Sequence, residues 1–146
     1  MNKTLNQLRD EACHNAITKG FYDILLHQID FGQEEEGQKL RKNLIHSVIM
    51  EQIVYIHSEL SEAVQCARDN KYIVPESLNT IEVLETEEGR LDFFINHIKD
   101  SFEDELADTL IRILSLSGLL DIDIEKHVEL KMKYNKGRGI RHDRKH

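Results

Sequence analysis

Two pairs of acidic residues share one spacing: Glu59 with Glu62, and Glu105 with Asp108. In a helix, residues three positions apart lie on one face, so the two carboxylates of each pair would be neighbours. Like charges at this spacing repel, and each pair lowers stability unless a cation lies between its members. If the two helices pack together, four carboxylates surround one point. Such an oxygen-rich site suits Mg²⁺, or Mn²⁺ in its place.

Each acidic pair lies beside a stripe of apolar residues. Apolar side chains recur with the 3.6-residue helical period over residues 45–67 and 102–120. At about 100° per residue, Glu59 falls inside the first stripe and Glu62 on its edge, while Glu105 lies at the margin of the second. One such pair is typical of a solvated helix surface. Two pairs beside packed stripes instead predict a shared site, because a carboxylate there is costly to bury alone.

The apolar periodicity predicts an all-α protein, a four-helix-type bundle that forms one domain over residues 1–146. Four helical stretches are expected, at residues 4–29, 39–70, 99–120 and 121–136. Gly20 is a candidate interruption of the first stretch and Asn70 a candidate stop of the second. Asp121 or Asp123 would cap the start of the fourth.

Two connecting segments have weaker patterns. Residues 32–37 contain glycines and the acidic run Glu34–Glu36, which predicts a solvated loop. Residues 71–98 have no clear period; a short extended piece before Pro75 and a short helix over residues 90–98 are the local indications. We interpret this segment as an insertion.

The charge is unevenly distributed along the chain. The net charge is −8, yet residues 126–146 carry +6, so residues 1–125 carry −14. The basic part includes a tail at residues 137–146 and a group with the chemistry to bind phosphate: Lys131, Lys133, Asn135, Arg138 and Arg141. The alternative is a solvated helix end whose cations complement the helix dipole.

Several classes of protein are not indicated. No apolar run approaches the roughly 20 residues that span a bilayer, and the N-terminus lacks the apolar core of a signal peptide. Cys13 and Cys66 form no spacing motif and are expected to be reduced, buried thiols. We therefore expect a cytoplasmic protein without a membrane segment. No phosphate-binding glycine loop and no zinc-ligand spacing is present.

The order of these motifs resembles the MazG-like all-α nucleoside triphosphate pyrophosphatases. The matching segments are Ser58–Ala63 (SELSEA), Asp104–Thr109 (DELADT), Lys131–Arg138 (KMKYNKGR) and, more weakly, Ala16–Tyr22 (AITKGFY). The resemblance covers roughly residues 10–70 and 99–142. Two features depart from the family pattern. Ser58 stands where the family usually has a further acid, and 42 residues separate the two acidic pairs.

The resemblance implies an oligomeric enzyme, a homodimer or homotetramer, that hydrolyses a nucleoside triphosphate to monophosphate and pyrophosphate with Mg²⁺. It implies four metal-binding and catalytic residues, Glu59, Glu62, Glu105 and Asp108. It also implies that the substrate's phosphates meet Lys131, Asn135 and Arg138, with Lys133 beside them. The rival hypothesis is a non-enzymatic oligomeric helical module that binds nucleic acid or an acidic partner through its basic segment, although the net charge of −8 disfavours nucleic acid. A relative that kept the fold and lost activity is a third hypothesis.

Overall fold

The computed structural model describes residues 3–22 and 31–138. Within these ranges the chain forms six helices and no strand. The helices are α1 (Leu5–Thr18), α2 (Glu35–Arg68), α3 (Glu76–Val83), α4 (Glu87–His97), α5 (Phe102–Leu119) and α6 (Ile124–Lys136). The prediction of an all-α protein is confirmed.

The chain divides into two compact units. The described part of one unit contains residues 3–21 and 114–138, which include α1, the end of α5 and α6. The described part of the other contains residues 22 and 31–113, which include α2, α3, α4 and most of α5. All four predicted metal-binding carboxylates belong to this second unit.

In the first unit, hydrogen bonds from α1 hold the start of α6. Asn6 Nδ2 donates to Asp123 Oδ1 at 2.8 Å, and the Asn6 backbone N–H donates to Glu125 Oε2 at 3.1 Å. Arg9 Nη1 donates to the carbonyl of Ile122 at 2.8 Å. Asp123 also accepts from the backbone N–H of Lys126 at 3.1 Å, so Asp123 is the N-cap, as one of the two sequence alternatives predicted.

Three helices end in the same left-handed turn. Gly20, Asn70 and Asp121 have φ values of 80°, 55° and 51°. In each case the next residue's N–H reaches back over five residues to a helix carbonyl, at 2.9 to 3.0 Å, which satisfies an otherwise free acceptor. The predicted interruption at Gly20 and the predicted stop at Asn70 are therefore confirmed. Residues 23–29 of the first predicted helical stretch lie outside the described ranges.

The two connecting segments contain more helix than the sequence predicted. The expected loop at 32–37 is wrong in its second half, because α2 begins at Glu35 and places Glu35 and Glu36 in its first turn. Negative charge is favourable there, since it opposes the positive end of the helix dipole. The 71–98 segment forms α3 and α4. The sequence missed α3, whose eight residues are too few to display a helical period.

Both cysteines are buried free thiols, as expected. Burial raises the pKa of each thiol, which keeps both protonated and unreactive near neutrality. None of the described helices combines the length and the apolar character that crossing a membrane requires.

Candidate metal centre

One face of α2 is buried along most of the helix. The buried residues recur at helical spacing: Val48, Gln52, Glu59, Ala63 and Cys66. Glu59 is only 8% exposed, so it occupies a core position of this helix. Glu62 lies one turn further on and is exposed to solvent. The first acidic pair therefore has one buried and one exposed carboxylate.

The start of α5 orients the second pair. Ser101 Oγ accepts from the backbone N–H of Asp104 at 3.3 Å, and the Ser101 carbonyl accepts from the N–H of Glu105 at 3.0 Å. A helix that starts at this point turns Glu105, Thr109 and Arg112 to the same side. Glu105 is 5% exposed and Thr109 is 7% exposed.

The two helices bring three of the four predicted carboxylates together. Glu59, Glu62 and Glu105 each offer an oxygen, and these oxygens all lie within 4.8 Å of one another. Two of the residues are buried, and Glu62 opens the group to solvent. Three carboxylate ligands without sulfur or imidazole are typical of Mg²⁺ and Mn²⁺ sites, so the donor set fits these ions.

Asp108, the fourth predicted ligand, is exposed and is not part of this three-carboxylate group. It nevertheless interacts electrostatically with the group. Partial burial raises the pKa of Asp108, and the nearby carboxylates of Asp104 and Glu59 raise it further, while Arg112 acts in the opposite direction. Asp108 therefore contributes negative charge at the edge of the site.

Glu105 has the strongest electrostatic perturbation in the group. Burial, followed by the negative charges of Glu62 and Glu59, raises its pKa from 4.5 to about 7. Its carboxylate has no hydrogen bond and no ion pair with the described residues. Every side-chain N or O atom in those ranges that is fully inaccessible to solvent has a hydrogen-bond partner. Since the Glu105 oxygens have none, solvent must still reach them. A buried carboxylate without a donor is costly, and a cation would remove that cost.

One basic residue enters the cluster directly. Arg112 Nε donates to Glu59 Oε1 at 2.6 Å, and its guanidinium lies over the ring of Tyr55, 5.3 Å from the centroid. Sequence reasoning assigned Arg112 no role. Its position seven residues after Glu105 was the available signal, since two helical turns return to the same face.

Ser58, which stands where the resembled family usually has an acid, also contacts the group. Its Oγ donates to Glu62 Oε1 at 3.3 Å, and both side chains are exposed. Ser58 therefore orients one carboxylate rather than adding another.

The buried side of α5 differs from the apolar stripe that the sequence predicted. Leu106, Leu110 and Ile113 are 42%, 48% and 36% exposed. The buried residues in the same turns are Glu105 and Thr109. The expectation that the acids only border a packed apolar stripe is wrong here, because the carboxylate cluster itself faces α2 and leaves the apolar stripe largely uncovered in the single chain.

The predicted phosphate-binding residues lie on and just after α6, in the other unit. Lys131, Lys133, Asn135 and Arg138 are all exposed. Lys131 Nζ and Arg138 Cζ lie 5.0 Å and 5.8 Å from the ring centroid of Tyr134. These contacts hold two cations around one aromatic ring. Arg141 lies outside the described residues.

No protein-family model matches the chain, and neither does any curated protein or solved structure at the level of significance required. The resemblance to the MazG-like pyrophosphatases therefore rests on the sequence motifs alone. The assignment of the chain to that group stays a prediction.

Proposed function

We propose that this protein is a Mg²⁺-dependent nucleotide pyrophosphohydrolase of the MazG-like type, which converts a nucleoside triphosphate to its monophosphate and pyrophosphate. The observation that carries the proposal is the convergence of Glu59, Glu62 and Glu105, whose oxygens lie within 4.8 Å of one another. Carboxylates gathered at this range repel strongly unless a cation joins them. Mg²⁺ bound by few carboxylates commonly completes its coordination with phosphate oxygens.

Each residue has a role that follows from its environment. Glu59 and Glu105 are the buried ligands, fixed by α2 and α5, and Glu62 is the solvent-facing ligand that Ser58 orients. Asp108 adds charge at the rim. When bound, Mg²⁺ neutralises phosphate charge and acidifies water. Lys131, Lys133, Asn135 and Arg138 are proposed to bind phosphate oxygens, for which their exposed donors are suited.

We also propose that the protein assembles as a homodimer or homotetramer. The uncovered apolar stripe of α5, with Leu106, Leu110 and Ile113, supports this proposal, as does exposed Val64 of α2. Contiguous apolar surface is commonly covered by a partner chain.

The test is release of pyrophosphate from a panel of ribo- and deoxyribonucleoside triphosphates, with Mg²⁺ and with excess chelator. Glu59→Ala and Glu62→Ala are expected to lose nearly all turnover while their circular dichroism remains helical. Glu82→Gln is the matched control, because it removes one negative charge from an exposed position of α3 whose side chain forms no hydrogen bond or ion pair with the described residues. Full activity in both cluster variants contradicts the proposal.

The rival module predicts a different result. It predicts no turnover, no binding of Mn²⁺ by calorimetry, and affinity for nucleic acid that falls steeply with salt. Binding of Mn²⁺ without turnover would favour the relative that lost activity. In that case pyrophosphate release should be measured in Ser58→Glu, which places an acid where the resembled family usually has one.

A further inference from the structure

A second group of carboxylates lies immediately beside the first. Asp100, Asp104 and Glu105 each offer an oxygen, and these oxygens also lie within 4.8 Å of one another. Asp100 precedes α5 in a left-handed conformation with φ 59°, and Asp104 lies in the first turn of the helix. Glu105 thus belongs to two groups of three.

The shared residue is the one whose burial is unexplained. Glu105 is 5% exposed, its carboxylate has no hydrogen bond or ion pair with the described residues, and it has an oxygen close to both groups. A carboxylate in this position costs free energy unless it is neutralised. Both groups therefore share a carboxylate that no described residue pairs with.

A helix N-terminus alone accounts for part of this arrangement. Acids in a first turn oppose the helix dipole, and Asp104 Oδ2 accepts the backbone N–H of Asp100 at 3.0 Å. These effects explain why Asp104 lies where it does. They do not explain Glu105, whose largely buried carboxylate accepts no hydrogen bond from the residues that the structure describes.

The local basic residues are too few to balance the acids. Lys99 Nζ pairs with Asp100 Oδ1 at 2.6 Å, but both side chains are half-exposed or more, so this pair contributes little. Arg112 pairs with Glu59. The two groups contain five different carboxylates, and Asp108 brings the number to six against these two cations. The formal excess of four negative charges equals the charge of two divalent ions.

We propose that Asp100, Asp104 and Glu105 form a second site for a divalent cation such as Mn²⁺ or Mg²⁺, and that Glu105 bridges the two ions. Bridged ions of this kind lie about 3.5–4 Å apart. This inference rests on the proposed function only because it assumes that Glu59 and Glu62 hold the first ion. The binding of two ions can be measured whether or not the protein hydrolyses a nucleotide.

The experiment is calorimetric titration of the full chain with Mn²⁺ alone. The unmodified protein is expected to bind two ions per chain. Asp104→Asn keeps an oxygen that can accept the Asp100 N–H, and it is expected to bind one ion. Glu62→Gln is also expected to bind one, and Glu105→Gln to weaken both sites at least tenfold. Glu82→Gln is the matched charge control and should bind two.

Electron paramagnetic resonance tests the bridge independently of stoichiometry. Two Mn²⁺ ions about 4 Å apart are magnetically coupled, so the loaded protein should show a coupled spectrum and Asp104→Asn the six-line spectrum of an isolated ion. One ion per chain in the unmodified protein, or two in Asp104→Asn, overturns the second site. One ion together with released pyrophosphate leaves the proposed function intact, whereas two coupled ions without hydrolysis supports the second site and contradicts the proposed function.

Discussion

The Nε atom of Arg112 lies 2.6 Å from Oε1 of Glu59, and this ion pair joins the two helices that carry the acidic pairs. Glu59 is buried and Arg112 is partly so, which makes the pair stronger than one at the surface. The guanidinium is thus the cation that contacts Glu59. Under the proposed function, a divalent ion at Glu59 would have to compete with it.

Replacement of Arg112 by glutamine is expected to strengthen metal binding and to weaken the metal-free fold. The metal no longer displaces a guanidinium, so Mn²⁺ affinity should rise several-fold in calorimetry. Without metal, loss of the charged hydrogen bond should lower the free energy of unfolding by about 2 kcal/mol. Arg41→Gln is the control, because Arg41 is an exposed residue of the same helix as Glu59. Weaker Mn²⁺ binding in Arg112→Gln would show that the guanidinium supports the metal ligands instead.

Metal affinity is expected to depend on pH in the window set by Glu105. Its pKa of about 7 means that a proton occupies the carboxyl below neutrality and must leave before a cation binds. Mn²⁺ affinity should therefore fall by about tenfold per pH unit below 7 and level off above 8. Calorimetry in two buffers of different ionisation enthalpy would detect the released proton at pH 6. Equal affinity at pH 6 and pH 8 would contradict the role of Glu105 as a ligand.

Glu105→Gln is expected to stabilise the metal-free protein at alkaline pH. The folded pKa of Glu105, about 7, exceeds its ordinary value of 4.5, so the folded chain binds a proton that the unfolded chain has lost. Ionisation above pH 7 thus costs up to about 3 kcal/mol, and this cost disappears as pH falls toward 4.5. Urea unfolding in chelator should show the variant more stable at pH 8 and little changed at pH 5. With Mg²⁺ present, the order at pH 8 should reverse, since the carboxylate binds the ion more tightly than the amide.

A charge placed on the uncovered apolar stripe is expected to break the proposed assembly. Leu110 is 48% exposed on α5, and Leu110→Glu adds a charge there without filling a core position. Light scattering after size exclusion should give a multiple of the 17.1 kDa chain for the unmodified protein and a smaller mass for the variant. Val83→Glu, at a 77% exposed position of α3, is the control. A single-chain mass for the unmodified protein would contradict the oligomer.

Local rules account for what the sequence predicted correctly. The 3.6-residue period gave the long helices, and the chemistry of single residues gave their ends at Gly20, Asn70 and Asp123. Both properties depend on neighbours a few positions apart, so the chain alone contains them. The eight-residue α3 was missed because two turns carry too little periodic signal.

The sequence by itself determined that each acidic pair shares a helix face. It could not determine how α2 and α5 are rotated and offset against each other, because the periodicity of one helix contains no information on the helix that packs against it. Packing decided that Glu105 is buried, that Leu106 stays exposed and that Arg112 reaches Glu59. It also added Asp100, whose position depends on a left-handed turn. The sequence thus indicated the candidate metal-binding residues, and the tertiary structure decided which charged side chains lie together at the site.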